Sequence, residues 1–388
     1  MSRQLKQIFT VVGARPQFIK AAALSRVFSE FYPDEVRETI IHTGQHYDAD
    51  MSDVFFEELG IPMPAFSLNA GSGTHGQQTA RMLEGLEELF IQQKPDLVLV
   101  YGDTNSTLAG ALAASKLGIP IVHVEAGLRS FNKAMPEEIN RILTDHVSSL
   151  LFSPTRTGID NLLKEGFTEG ADGFWNADHP GVFLSGDVMY DNALYFRKKA
   201  QDVYGEWLNQ NGLFSGSFIL ATVHRNGNTD DKERLSSILN SFDRVAGKTG
   251  QIIVWPLHPR TRKMLQKFAG EDQNFRLPDP GKIKLMDPVG YLQMVLLEAS
   301  CSLVLTDSGG VQKEAYFYEK PCVVLRAETE WTELVASGAA ALADASEERI
   351  VQLADLMLKT GFSAPSGFYG DGRAADFIAK KIAGNFLN

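Results

Sequence analysis

One pattern constrains this chain's fold more than any other: short runs of consecutive apolar residues recur, each closed by a glycine or polar group and followed by a helix-like stretch. Residues 97–101 (LVLVY) and 303–306 (LVLT) are two such runs. A strand with one face in water alternates apolar and polar side chains. A strand that is apolar at successive positions is buried on both faces, as parallel strands covered by helices are. The same reading predicts strands at residues 8–12, 39–42, 97–101, 121–124, 150–152, 182–184, 218–222, 252–255, 303–306 and 322–325. Residues 104–117 read as a helix, with Leu108, Ala111, Leu112 and Ser115 at helical spacing, and residues 232–246 as another. The β-α rhythm predicts an α/β protein with parallel sheets.

The rhythm pauses at residues 166–180 (GFTEGADGFWNADHP), and a second Gly/Asn-rich stretch covers residues 209–217. A length of 388 residues accommodates two or three domains. The expected division lies near residue 180, giving units of similar size, 1–180 and 181–370. Apolar residues make up 44% and charged residues 22%, which excludes disorder. With 37 Lys+Arg against 48 Asp+Glu, the net charge of −11 repels phosphate backbones, so no nucleic-acid partner is expected. No apolar stretch approaches the ~20 residues that span a membrane, and the first residues lack a signal-peptide pattern. Two cysteines, Cys301 and Cys322, make no disulfide framework. A soluble cytoplasmic protein is the expectation.

In open parallel sheets, ligands bind at the carboxyl ends of the strands, so the residues just past each strand carry the functional signal. After the first come Gly13, Ala14, Arg15 and Pro16, with Lys20 about one turn on, a βα loop that suits an anion. After the second come Gln45 and His46, polar groups of weak weight. Asp103 follows residues 97–101, where helix capping is an equally good reading. Glu125 follows directly on residues 121–124 (IVHV), apolar but for His123, a place propensity would not choose, and burial there raises a carboxyl toward useful acid/base range. Twelve residues later Glu137 opens a helix, where it either complements the helix dipole or joins Asp103 and Glu125 at one sheet edge. In the second half His224 follows a strand. Ser308, Gly309 and Gly310 open a helix after another, a nest of N–H groups fit for a diphosphate.

Two patterns carry less. Residues 71–76 fit G-x-G-x-x-G without a clear preceding strand, so dinucleotide binding is not expected. His123-Val124-Glu125 fits half of a zinc-deaminase signature but lacks the cysteine pair, and no zinc motif occurs. Neither a metal nor a cofactor is expected.

The segments GARPQFIKAA, HTGQHYD, YGDTNSTLAGALAA, HVEAGLRS, MPEEINRILTDH, GDVMYD, PLHPRTRK and LTDSGGVQKEA run in order over nearly the whole chain. Together they resemble the non-hydrolysing UDP-N-acetylglucosamine 2-epimerase family. That resemblance implies a GT-B-like fold, two Rossmann-like domains with parallel sheets facing a central cleft, and residues 371–388 as a helix packing back on the first domain. It implies inversion at C2 of a UDP-2-acetamido sugar by loss and re-addition of UDP through a 2-acetamidoglucal, in surface polysaccharide synthesis, by a homodimer without cofactor. By motif match, Asp103, Glu125 and Glu137 are the acid/base carboxylates. His224 and Arg15 stabilise developing diphosphate charge. Ser308, Gly309, Gly310 and Glu314 hold diphosphate and ribose, and Lys20, Gln45, His46 and Arg141 contact substrate.

The chain departs from the family pattern at two places. Many members carry H-R-x-E-N, but here His224-Arg225-Asn226-Gly227-Asn228 lacks the glutamate. The usual Arg-Pro-Glu segment is replaced by Glu328-Thr329-Glu330. The latter resembles the branch acting on modified sugars such as UDP-2,3-diacetamido-2,3-dideoxyglucuronate. The small, neutral segment 71–76 speaks against a regulatory second UDP-sugar site. Three other readings stand beside the leading one: a GT-B glycosyltransferase using a UDP-sugar donor, a hydrolysing 2-epimerase, and a nucleotide-sugar binding protein. Release of C2-exchanged sugar separates the first, irreversible UDP release the second, and unchanged bound substrate the third.

Overall fold

The computed structural model describes residues 5–44, 53–170, 173–363, 365 and 367–387. They form two compact α/β units, Met1–Asn192 with Gly367–Asn388, and Ala193–Ser366. The first holds a parallel sheet of seven strands: β1 Lys6–Val12, β2 Val36–His42, β3 Phe66–Ser67, β4 Leu97–Tyr101, β5 Ile121–Val124, β6 Leu150–Ser153 and β7 Gly181–Leu184. Their order across the sheet is β3-β2-β1-β4-β5-β6-β7. The second holds six parallel strands: β8 Phe218–Thr222, β9 Ile252–Pro256, β10 Ile283–Met286, β11 Leu303–Thr306, β12 Cys322–Val324 and β13 Ala340–Leu342, in the order β10-β9-β8-β11-β12-β13. Both orders turn back at the first strand of the sheet, so each unit is Rossmann-like and has a switch point beside that strand.

All ten strands read from apolar runs are present, and the α/β expectation holds. Central strands are buried at every residue, as in β4 and β8. Around the first sheet pack Phe9, Val11, Phe90, Val98 and Val100. Around the second pack Ile219, Phe242, Trp255 and Leu305, with Phe242 and Trp255 edge to face at 5.5 Å.

The units divide at Asn192–Ala193, inside the helix Val188–Gln210. Strand β7 pairs with β6, so the pause at residues 166–180 lies within the first unit. The chain returns to that unit through the helix Ala374–Ile382, whose first N–H groups, at Ala374 and Ala375, donate to Asp191 at 3.1 and 2.7 Å. Among the described residues no helix is long and apolar enough to cross a membrane.

Candidate active site

In the first unit, the loops after β1, β4 and β5 interlock. Gly13 has no room for a side chain: a Cβ there would lie 1.9 Å from Ser106 Oγ and 2.4 Å from Thr43 Oγ1. The Gln17 carboxamide fills the junction. Its Oε1 accepts from Gly13 N–H at 2.8 Å, and its Nε2 donates to the Tyr101 carbonyl and to Thr107 Oγ1, both at 2.9 Å. This ties the start of the helix Arg15–Phe31, with Pro16 in its first turn, to the end of β4. Arg15 opens that helix half-buried, and Lys20 points toward the tips of β4 and β5.

Lys20 Nζ forms an ion pair with Glu125 Oε2, and the two side chains are only 16% and 12% exposed. Burial alone would lower the lysine pKa, but Glu125, Asp103 and Asp187 outweigh it and hold the ammonium charged. Glu125 has φ 75°, a left-handed backbone that costs about 1–3 kcal/mol in a non-glycine residue. It is held there because Glu125 N–H and Ala126 N–H both donate to the Phe152 carbonyl at 3.0 Å. Gly102, with φ 65°, precedes Asp103, and a Cβ on it would meet Lys20 Nζ at 3.2 Å.

Asp103 Oδ2 accepts two bonds from Arg141, from Nε at 3.0 Å and from an Nη at 2.7 Å. Its carbonyl accepts from Asn140 Nδ2 at 2.8 Å. Both partners lie on the helix Pro136–Val147. Glu137 sits half-buried in that helix's first turn, one turn before Arg141 and so on the same face. Its neighbour Glu138 is buried and is used structurally. It accepts from Ser130 N–H at 2.8 Å, Phe131 N–H at 2.9 Å and Arg141 Nη1 at 2.8 Å. These bonds hold its carboxyl below the usual range against the opposing effect of burial. Lys20, Asp103, Glu125 and Arg141 are thus one charged cluster at the carboxyl edge of the first sheet. Gln45 and His46 lie outside the described residues.

In the second unit, Asp307 organises the tips of β8 and β11. It is fully buried and accepts from His224 N–H at 3.0 Å, Arg225 N–H at 3.0 Å and Asn228 Nδ2 at 3.1 Å. The His224 ring stands 3.5 Å from Asp307 and remains 40% exposed. Burial pushes its pKa down, Asp307 opposes this, and His258 and Arg225 reinforce it. Ser308, Gly309 and Gly310 follow, opening the helix Gly309–Phe317, and Ser308 makes no side-chain cap. Trp331 Nε1 donates to the Gly309 carbonyl at 2.8 Å, and Lys313 lies over the Trp331 ring at 4.4 Å. Glu314 Oε2 lies 4.0 Å from where a Gly310 Cβ would be. Burial raises the Glu314 carboxyl to about 7, and buried Glu298 beside it is pushed well above the ordinary range by burial and by Glu314.

Sequence reading missed Gln17, Glu138, Asp307 and Glu298. Asp307 stood in view, immediately before Ser308, but a buried carboxylate that binds backbone N–H groups is invisible without the fold. Chemically, each unit offers something distinct. The first has carboxylates paired with fixed cations, suited to moving a proton. The second has a glycine-opened helix start, Gly309 and Gly310, beside a histidine, suited to an anion.

The UDP-N-acetylglucosamine 2-epimerase family profile matches residues 32–383. A UDP-2,3-diacetamido-2,3-dideoxy-D-glucuronate 2-epimerase of Pseudomonas aeruginosa is 50% identical over 377 residues, 97% of this chain and 99% of that protein. A UDP-N-acetylglucosamine 2-epimerase of Methanocaldococcus jannaschii is 41% identical over 95% of this chain and 97% of its own. The crystal structure of UDP-GlcNAc 2-epimerase from that organism, in complex with UDP-GlcNAc and UDP, aligns with TM-score 0.78 at 39% identity, covering 98% of this chain and 99% of that one. The chain belongs to the UDP-N-acetylglucosamine 2-epimerase family.

Proposed function

We propose that this protein inverts C2 of a UDP-2-acetamido sugar without net hydrolysis. The observation that carries the reading is the charged cluster of Lys20, Asp103, Glu125 and Arg141 in a member of this family. The C2 hydrogen lies next to an acetal carbon, so no carbonyl stabilises a carbanion formed by its removal. Loss of the leaving group supplies the driving force. A base takes the C2 proton, the C1–O bond to UDP breaks with its electron pair leaving on the diphosphate, and C1 and C2 become doubly bonded. In the return step a diphosphate oxygen of UDP bonds to C1, and a proton reaches C2 on the opposite face.

Two faces require acid/base groups on both sides, and Asp103, Glu125 and Glu137 fill those roles. The first unit therefore supplies proton transfer and the second, residues 193–366, supplies UDP binding. Lys20 and Arg141 pair with Glu125 and Asp103 and, with Gln45 and His46, contact substrate. Arg15 and His224 stabilise charge on the departing diphosphate. Gly309 and Gly310 bind the diphosphate through their N–H groups, Ser308 joins them through its hydroxyl because its own N–H donates to Thr306 Oγ1 at 2.9 Å, and Glu314 accepts from the ribose.

The 2,3-diacetamido uronate is the preferred substrate. The supports are the 50% identity to the Pseudomonas aeruginosa enzyme of that name and the segment Glu328-Thr329-Glu330-Trp331-Thr332-Glu333 in place of Arg-Pro-Glu. Surface polysaccharide synthesis in the cytoplasm is the matching role. The helix Pro136–Val147 supports a homodimer: it buries Glu138, Asn140, Thr144 and Asp145 while exposing Ile139 and Leu143 at 44% and 43%. A second copy covering that apolar stripe accounts for the inverted pattern.

Incubation with UDP-GlcNAc and with the diacetamido uronate, each followed by proton NMR of the sugar, tests the substrate. C2 inversion of the uronate at the higher rate is expected. Transfer to an added acceptor, or free UDP accumulating in step with product, would overturn the reading.

A further inference from the structure

His123 is absorbed by none of the roles above, yet it is wholly buried beneath the charged cluster, on β5 two residues before Glu125. Its Nε2 stands 2.8 Å from the Gly102 carbonyl oxygen, and its Nδ1 stands 2.7 Å from Asp145 Oδ1. A carbonyl oxygen can only accept, so Nε2 carries a proton and donates it. The Asp145 side has two possibilities, a ring proton donated to a carboxylate or a carboxylic acid donating to the ring. The other carboxyl oxygen, Oδ2, decides between them. It accepts from Arg129, 2.7 Å away, and from Gly127 N–H at 3.2 Å. Burial of Asp145 opposes ionisation, but His123 and Arg129 hold it below the usual carboxylate range. The second proton therefore resides on the ring.

Gly102 is held from both of its ends by adjacent residues of β5. Its N–H donates to the Val124 carbonyl at 2.9 Å, and its carbonyl accepts from His123. Gly102 precedes Asp103, and Val124 precedes Glu125. This clamp acts on the link between the two carboxylates, beside the bonds from Asn140 and Arg141 that hold Asp103 itself. Gly102 has φ 65°, a conformation glycine adopts freely, so a fixed donor on its carbonyl restrains the residue just before Asp103.

We propose that His123 is a doubly protonated positioning residue, an imidazolium bridging Asp145 and the Gly102 carbonyl, that sets Asp103 against Glu125. Its effect on turnover rests on the epimerase reading, but its protonation and bonding do not. Arg129 and Glu165 continue the network outward, with Arg129 Nε donating to Glu165 at 2.7 Å. The ring charge is thus matched by Asp145 and the guanidinium charge by Glu165.

The test is nitrogen-15 NMR of the full chain labelled at histidine, with the His123 signals assigned by their loss in His123→Gln. Protons on both ring nitrogens are expected. An unprotonated signal from either nitrogen overturns the proposal. In Asp145→Asn the carboxamide donates to Nδ1, so the ring is expected to lose that proton and keep Nε2–H on Gly102. Retention of both protons there overturns it equally, and this variant also serves if His123→Gln does not fold. In the folded variants, His123→Gln is expected to lower kcat about tenfold or more while the Kd for UDP stays within about twofold, and Asp145→Asn to remain within about threefold of the parent. An equal fall in kcat and UDP affinity contradicts a positioning role. Should the parent chain show no C2 chemistry at all, the epimerase reading fails while the NMR result still decides the bonding of His123.

Discussion

Lys20 and Glu125 form an ion pair in which neither side chain exceeds 16% exposure. A surface pair contributes little, but a withdrawn one is costly to break, because the remaining charge is left in poor solvent. The lysine thus supplies the counter-charge for a carboxylate withdrawn from water at a strand tip. It also lies over Gly102, where a Cβ would meet its Nζ at 3.2 Å and where φ 65° already favours glycine.

Replacing Lys20 with Met leaves Glu125 without its cation. Turnover is expected to fall by about 10²-fold or more. Stability should fall by roughly 2 kcal/mol, less than for a fully buried pair because water still reaches both groups. Urea unfolding followed by circular dichroism measures the second. An unchanged midpoint would show that the pair contributes nothing.

Glu137 and Glu138 are neighbours with opposite expected behaviour. Glu137→Gln should cut turnover by about 10²-fold with unfolding unchanged; Asp103→Asn and Glu125→Gln should cut it similarly but also lose stability, because each leaves a cation, Arg141 or Lys20, without its carboxylate. Glu138→Gln should lower stability by about 1–3 kcal/mol, since it weakens bonds to two backbone N–H groups and Arg141. Assaying both variants for rate and for unfolding separates them. The reverse pattern would exchange their roles.

Gly13→Ala places a methyl group within 1.9 Å of Ser106 Oγ. A loss of about 1–3 kcal/mol is expected from overpacking, with reduced turnover, because the loops of β1 and β4 must separate. A stable, active variant would show that the junction is loose.

The Glu298 and Glu314 carboxyls titrate in the folded protein above their ordinary 4.5, Glu314 at about 7, both chiefly through burial. Between 4.5 and 7 the unfolded chain therefore binds fewer protons than the folded one. Stability falls as pH rises through that window. Glu298→Gln removes one of the charges, so its melting temperature should exceed the parent's at pH 8 by about 3 °C or more, with a smaller gain at pH 5. A gain of equal size at both pH values would assign the effect to packing.

Much of this architecture was readable before any coordinates. Every strand buried on both faces announced itself as an apolar run, because that burial leaves no choice of side chain. The three strands beyond those read from apolar runs, β3, β10 and β13, are three of the four sheet edges. Each pairs on one side only, and β3 spans just Phe66–Ser67, too short to leave a pattern. The division between units was set near 180 by a glycine-rich loop, but composition says nothing of pairing, and β7 joins the first sheet beyond that loop. At the site, the positions of Asp103, Glu125 and Ser308 can be read from sequence because each lies within two residues of a strand end. Gln17, Asp307 and His123 were not, since their roles lie in what they bond across the sheet.

Deuterium at C2 is the most direct measurement of the central claim. The protein is incubated with its UDP-2-acetamido sugar in deuterium oxide, and the recovered sugars are read by proton NMR. The inverted sugar is expected to carry deuterium at C2, with free UDP remaining a minor species. An inverted sugar that retains its original hydrogen, or no inversion of either candidate substrate, would contradict proton transfer by these carboxylates.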